Sequence, residues 1–179
     1  KTPSSGAIAM DNILLVDGYN IIGAWPELRE LKDKDLSAAR DRLIEILAEY
    51  RAYTGFRVIC VFDAYYVQGL ERKYKNYKID VIYTRENETA DERIEKLAIE
   101  LSNIKTQIHV ATSDFTEQWA IFGQGALRKS ARELLIECKH VTKQVEKKVK
   151  KQTSKKPASK IHLSDEVAKK FEQWRRGLF

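Results

Sequence analysis

Apolar residues in this chain come in short unbroken runs, separated by stretches in which they recur every three or four positions. Ile13-Leu14-Leu15-Val16 is a continuous run closed by Asp17-Gly18, and it predicts a buried strand followed by a turn. Ala38, Ala39, Leu43, Ile46, Leu47 and Tyr50 repeat at helical spacing, with Gly55 placed to end the helix. Val58 to Phe62 predicts a second buried strand ending at Asp63, and Ile79 to Tyr83 a third. Thr89-Ala90-Asp91-Glu92 has capping-box spacing, with the stripe Ile94, Leu97, Ala98 and Leu101 behind it. Ile108 to Ala111 predicts a fourth strand ending at Thr112-Ser113-Asp114, and Ala126 to Arg128 a short edge strand. Ser130-Ala131-Arg132-Glu133 then caps a long helix through Leu134, Leu135, Cys138 and Val141.

Strands alternating with helices imply an α/β domain with a mostly parallel central sheet, covered by helices on both faces. Such sheets place ligands at the carboxyl ends of their strands, near the point where strand order reverses. Residues 10–142 are assigned to this domain. From 143 to 160 the chain is lysine-rich with Thr153, Ser154, Pro157 and Ser159, which predicts a frayed helix end and a linker. Ser164-Asp165-Glu166 starts a last helix. Its Val167, Phe171 and Trp174 lie at i, i+4 and i+7, a face expected to dock on the domain as a C-terminal helical extension.

A chain of 179 residues suits one domain with such an extension. The net charge of +6 favours an anionic partner, and its distribution sharpens the point. Between Lys139 and Lys160 there are nine lysines and one acid, Glu146. Cys60 and Cys138 fit no metal-ligand spacing, and Cys60 sits in an apolar run as a buried free thiol. His109 alternates with Ile108 and Val110 and reads as structural. No run approaches the roughly 20 apolar residues of a membrane span, and no signal peptide is visible. A cytoplasmic location without membrane attachment is the expectation. Lys1 to Ala9 reads as sequence appended before a native start at Met10.

The chemistry lies in the acids. Asp17, Asp63 and Asp114 end strands, and Asp91 stands in the first turn of a helix. Each alone is explained by turn and helix capping. Together, parallel topology would bring several of them to one sheet edge, where clustered carboxylates repel unless a cation neutralises them. Hard oxygen ligands select Mg²⁺ or Mn²⁺, ions that activate water and stabilise charge on a phosphodiester.

Leu15-Val16-Asp17-Gly18-Tyr19-Asn20 resembles the opening signature of NYN domains, nuclease domains related to the PIN fold. Phe62-Asp63-Ala64, Thr89-Ala90-Asp91, Thr112-Ser113-Asp114 and the run from Gly125 to Leu134 follow in the family's order. The chain is most similar to the YacP-type branch, which includes ribosome-associated messenger-RNA endonucleases of Gram-positive bacteria. The resemblance implies a PIN-like three-layer fold and metal-dependent endoribonuclease activity. It implies catalytic metal ligation by Asp17 and Asp91, with Asp114 as a further ligand or supporting carboxylate. Asn20 would orient metal-bound water or a phosphate, and Asp63 would either touch metal or tie down the active-site loop. Some relatives in the wider superfamily carry another acid one turn after the Ser-Asp pair. Here that position is Gln118, with Glu117 beside it.

Other folds fit poorly. Tyr19 stands where Asp-x-Asp phosphatases need their second acid, no Walker loop is present, and the acid pair of a receiver domain is missing. A non-catalytic RNA- or ribosome-binding module would share the charge pattern, but the joint presence of Asp17, Asp91 and Asp114 argues for catalysis. Tyr65-Tyr66 and Arg72-Lys73-Tyr74-Lys75-Asn76-Tyr77-Lys78 interleave aromatics with cations, a pattern suited to RNA and equally to a solvated loop. Lys147, Lys148, Lys150 and Lys151 in the basic tail are the second candidate contact to RNA or ribosome.

Overall fold

Strand pairing follows the apolar runs. The structure, a computed structural model, describes residues 10–64, 78–114, 119–155 and 165–177. Strands β1 (Asp11–Asp17), β2 (Arg57–Phe62), β3 (Asp80–Tyr83), β4 (Thr106–Ala111) and β5 (Leu127–Lys129) form one five-stranded sheet of order β3-β2-β1-β4-β5. Every pairing is parallel. The chain adds β2 and β3 on one side of β1 and returns to add β4 and β5 on the other. Strand order therefore reverses between β1 and β4, the position at which doubly wound sheets place their ligands.

Alternation along the strands decides which residues meet which helix. Leu15 is level with both Ile59 and Val110, and Ile13 with Ile108. These side chains pack with Ala90, Ile94, Leu97 and Ala98 of α4 (Ala90–Leu101). The opposite face lies beneath the helices between β1 and β2 and the start of α6 (Ala131–Lys155). Those helices are α1 (Gly18–Ala24), α2 (Pro26–Lys34) and α3 (Leu36–Thr54). There the buried indole of Trp25 donates to the Ala131 carbonyl at 2.8 Å. A short α5 (Ala120–Gly123) precedes β5.

The predicted caps form. Gly55 takes the left-handed conformation (φ 77°) and donates its N–H to the Arg51 carbonyl at 2.9 Å, ending α3. Thr89 Oγ1 accepts the Glu92 N–H at 3.3 Å. Ser130 and Glu133 cap α6 reciprocally, at 3.0 and 3.4 Å.

Three features differ from what the sequence predicts. The turn expected after Asp17 is a helix that begins at Gly18, and α2 follows with Pro26 in its first turn, so two short helices precede α3. Their apolar residues are too few to register a period. The fifth strand runs one residue later than expected. The linker expected from residue 143 is helix as far as Lys155, because nothing from Lys143 to Lys155 breaks a helix and the first proline is Pro157.

Lys1–Thr142 and Lys143–Phe179 are separate compact units. The second contains the end of α6 and α7 (Asp165–Arg175), in which Trp174 is exposed. The side chains of Val167 and Phe171 lie outside the described residues. Among the described residues, no helix is long and apolar enough to cross a membrane.

Candidate active site at the carboxyl edge of the sheet

Asp17 is the last residue of β1 and is 8 % exposed. The two-residue alternation that turns Ile13 and Leu15 toward α4 carries Asp17 to the same side, level with Val61 of β2. Asp91 lies in the first turn of α4, which the chain enters from the carboxyl end of β3. Asp63 directly follows β2, and Asp114 lies three residues beyond β4. Topology thus brings all four aspartates to one edge, and Asp63, Asp91 and Asp114 are partly buried there. Among the described residues, no three His, Cys, Asp or Glu side chains converge as a metal site.

The start of α1, directly after Asp17, is held from two sides. Gly18 has no room for a side chain: a Cβ would come within 2.5 Å of Phe62 Cδ1. Tyr19 packs against the Phe62 ring at 5.1 Å and accepts a hydrogen bond from Arg40 Nη1 at 3.1 Å. Phe62 in turn stacks on Tyr83 at 5.8 Å, so this support extends to β3. On the other side, Asn20 Oδ1 accepts the Ser113 N–H and the Thr112 hydroxyl, the latter at 3.3 Å. Asn20 therefore joins the ends of β1 and β4 across the point where strand order reverses.

The turn after β4 is equally constrained. The Thr112 N–H donates to the Lys129 carbonyl at 3.2 Å, and the Asp114 N–H donates to Thr112 Oγ1 at 3.1 Å. Arg128 Nη2 donates to the Asp114 carbonyl at 3.1 Å. At the neighbouring edge, the Thr84 N–H donates to the Phe62 carbonyl at 3.0 Å, and Thr84 Oγ1 accepts the Ala64 N–H at 3.0 Å. This fixes the chain on either side of Asp63.

Burial pushes the Cys60 thiol well above its usual range, and the Asp17 carboxylate adds to the effect. Cys60 is accordingly a neutral core residue, as its apolar surroundings predicted. Cys138 is pushed up to about 12, chiefly by burial and then by Glu137. His109 is held below its ordinary value by burial and by Lys129. It meets Asn12 Oδ1 at 3.1 Å and lies 5.3 Å from the Phe56 ring, a structural role. Glu88, in the loop before α4, is lowered by its hydrogen bond from Lys96 at 3.0 Å, with Arg93 contributing further.

Of the expected RNA contacts, Tyr65, Tyr66, Arg72, Lys73, Tyr74, Lys75 and Tyr77 lie outside the described residues, as do Glu117 and Gln118. Lys78 is exposed. Lys147, Lys148, Lys150 and Lys151 are exposed on α6, in the second unit. A cavity of about 200 Å³ opens at the opposite, amino edge, lined by residues including Met10, Asn103, Ile104 and Gln107. Its amides are engaged locally: Asn103 Oδ1 accepts from the Lys105 N–H, and Gln107 Nε2 donates to the Gly125 carbonyl. We therefore place the site with the aspartates and not in this cavity.

Sequence reasoning missed Arg40, Glu88 and Arg128. A signal existed for Arg40, which shares its helical stripe with Leu43, Ile44 and Leu47 and is 5 % exposed. A charged residue at an apolar-stripe position implies a buried partner.

A parallel sheet flanked by helices, with acids at the carboxyl ends of its strands, defines a doubly wound α/β domain whose site lies at that edge. Within that class the chain belongs to the YacP-like NYN domain family, which matches residues 14–176. It is 66 % identical over 166 residues to the Bacillus subtilis (strain 168) protein YacP, covering 93 % of this chain and 98 % of that one. It also resembles the crystal structure of Rae1 (YacP) from Bacillus subtilis, with a TM-score of 0.76 and 67 % identity over 92 % of this chain and 95 % of that one. A mutant of the same protein matches with a TM-score of 0.71 and 60 % identity, over 94 % and 96 % of the two chains.

Proposed function

We propose that this chain is a metal-dependent endoribonuclease that hydrolyses phosphodiester bonds in RNA, acting in the cytoplasm on messenger RNA at the translating ribosome. The observation that carries the reading is the Asn20 bridge. It ties the start of α1, directly after Asp17, to the turn bearing Asp114 at the reversal of strand order, in a family of nuclease fold.

Asp17, Asp91 and Asp114 would hold Mg²⁺ or Mn²⁺, with Asp63 a further candidate, and carboxylate oxygens are the donors these ions prefer. When bound, such an ion activates water and offsets charge on the phosphodiester. The chain's own contribution is placement. Burial of Asp17 restricts solvent, while Arg40, Tyr19 and Phe62 hold the turn behind it and Asn20 keeps the Asp114 turn in register. The aromatic and basic residues from Tyr65 to Lys78 would guide a single strand, and the lysines of α6 would meet phosphates of RNA or ribosome.

A second reading is an RNA- or ribosome-binding module without chemistry. It is favoured by the lack of three convergent metal-binding side chains among the described residues. One experiment separates the two: incubate RNA with the purified protein, with and without ribosomes, in Mg²⁺, Mn²⁺ and EDTA. Metal-dependent internal cleavage that EDTA abolishes supports the nuclease. Binding without cleavage under all conditions supports the module, and cleavage confined to ribosome-bound messages supports the ribosomal setting.

A further inference from the structure

Resting on the nuclease reading above, we infer that Arg85 and Arg132 hold the phosphate backbone of a single RNA strand at the two ends of the carboxyl edge, so that the strand crosses the aspartates between them. The case begins with strand order. β3 and β5 are the outer strands of the sheet, and Asp63, Asp17 and Asp114 stand at the ends of the strands between them, β2, β1 and β4. Arg85 lies two residues past the end of β3, and Arg132 three past the end of β5. The edge therefore runs from a cation through three acids to a second cation. Four inter-strand spacings of about 4.8 Å separate the two outer strands. Acids repel a phosphate backbone, so a strand brought across them has to be held by cations at their flanks.

Both arginines are exposed, and among the described residues neither side chain has a partner. Other cations near this edge are engaged: Arg40 with Tyr19, Arg128 with Phe122 and the Asp114 carbonyl, and Lys129 with Glu137. The backbone beneath each exposed arginine is nevertheless fixed. The Arg85 carbonyl accepts the Glu88 N–H at 3.0 Å, and the buried Glu88 carboxylate meets Lys96 at 3.0 Å and Arg93 at 3.6 Å. Arg132 lies inside the reciprocal cap of Ser130 and Glu133, beside the Ala131 carbonyl that takes the Trp25 indole. It also stands in the first turn of α6, where the helix dipole favours acids and disfavours cations. Arg132 thus adds nothing to the helix that carries it. A guanidinium offers two parallel donors to phosphate oxygens, and one held on fixed backbone loses less freedom when it binds.

The test uses the full-length chain carrying Arg85→Gln, Arg132→Gln or both, with Arg85→Lys and Arg132→Lys as variants that keep the charge. Lys105→Gln is the control: it removes an equal charge from an exposed residue just before β4, at the opposite edge of the sheet. Binding of a single-stranded oligouridylate is followed by fluorescence anisotropy in EDTA, over a series of salt concentrations, beside unfolding midpoints in urea. Each glutamine variant should weaken binding and lower the log–log salt slope by about 0.7, and the double variant should lower it by roughly twice that. Midpoints should stay at or above that of the wild type. The lysine variants should keep the wild-type slope, and Lys105→Gln should change neither slope nor affinity. An unchanged slope in the double variant overturns the proposal, as does an equal loss in Lys105→Gln, which would mean that only net charge counts. A wild type that does not bind the oligomer at low salt overturns it too. The nuclease reading is judged apart, by cleavage with and without ribosomes in Mg²⁺ and Mn²⁺. Arginine-dependent binding without any cleavage would leave the RNA track standing and remove the chemistry.

Discussion

Arg40 donates a hydrogen bond to the hydroxyl of Tyr19 at 3.1 Å, linking the first turns of α3 to the residue two positions after Asp17. Arg40 is 5 % exposed, so this hydrogen bond is made largely out of water. Tyr19→Phe removes the hydroxyl and leaves the Phe62 packing in place. Hydrogen bonds to charged groups contribute about 1.5–3 kcal/mol, so the unfolding midpoint in urea should fall correspondingly. An unchanged midpoint would show that the pair contributes nothing to stability.

Gly18 is required by space. Gly18→Ala would drive a methyl group into the edge of Phe62, at a cost of about 1–3 kcal/mol for overpacking. Phe62→Leu in the same chain should return part of that loss, because the ring is the obstacle. A double-mutant cycle in urea checks the coupling, and strict additivity of the two changes would refute it.

Asp17→Asn and Asp91→Asn should each abolish nearly all RNA cleavage while the fold persists, since a neutral isostere replaces a charged ligand. Relief of carboxylate repulsion should hold or raise the melting temperature of the metal-free protein. Purified mutants that cut at the wild-type rate would remove these residues from the chemistry. Asp63→Asn is the control: loss of stability marks it as structural, and loss of rate at unchanged stability marks it as catalytic.

Neutralising Lys147, Lys148, Lys150 and Lys151 should weaken RNA or ribosome binding and flatten its salt dependence. For every phosphate that a lysine no longer neutralises, the log–log slope should fall by about 0.7–0.9. Binding isotherms at a series of salt concentrations provide the measurement. An unaltered slope would leave this part of α6 without a role in binding.

Glu88 supplies a pH signature. Its carboxyl is held below the ordinary value of 4.5, first by the hydrogen bond from Lys96. A depressed folded-state value means that the contribution to stability is complete above the unfolded value and is lost as pH falls through the folded one. Wild type should therefore lose stability below about pH 4.5 more steeply than Glu88→Gln. Parallel acid-unfolding curves for the two proteins would contradict the assignment.

The sequence by itself determined the strands, the long helices and their caps, because each depends on residues within one or two turns of one another. Unbroken apolar runs marked strands buried on both faces. Ser130 with Glu133, and Thr89 with Glu92, marked helix starts that the structure reproduces. The same local logic put Asp17, Asp63, Asp91 and Asp114 at the ends of elements, and parallel topology brought those ends to one edge. Only the tertiary structure decided what holds them. Asn20 and Thr112 are 92 residues apart, and no local periodicity predicts that a side-chain amide will bridge two strand ends. Arg40 with Tyr19 and Arg128 with Asp114 likewise depend on how a helix and an edge strand lie against the turns, which follows from core packing. The short helices α1 and α2 escaped notice because seven and nine residues are too few to show a period. α1 is stabilised by packing on β1 and β2, and α2 by packing on α1 and α3, and those surfaces exist only once the sheet and α3 have formed.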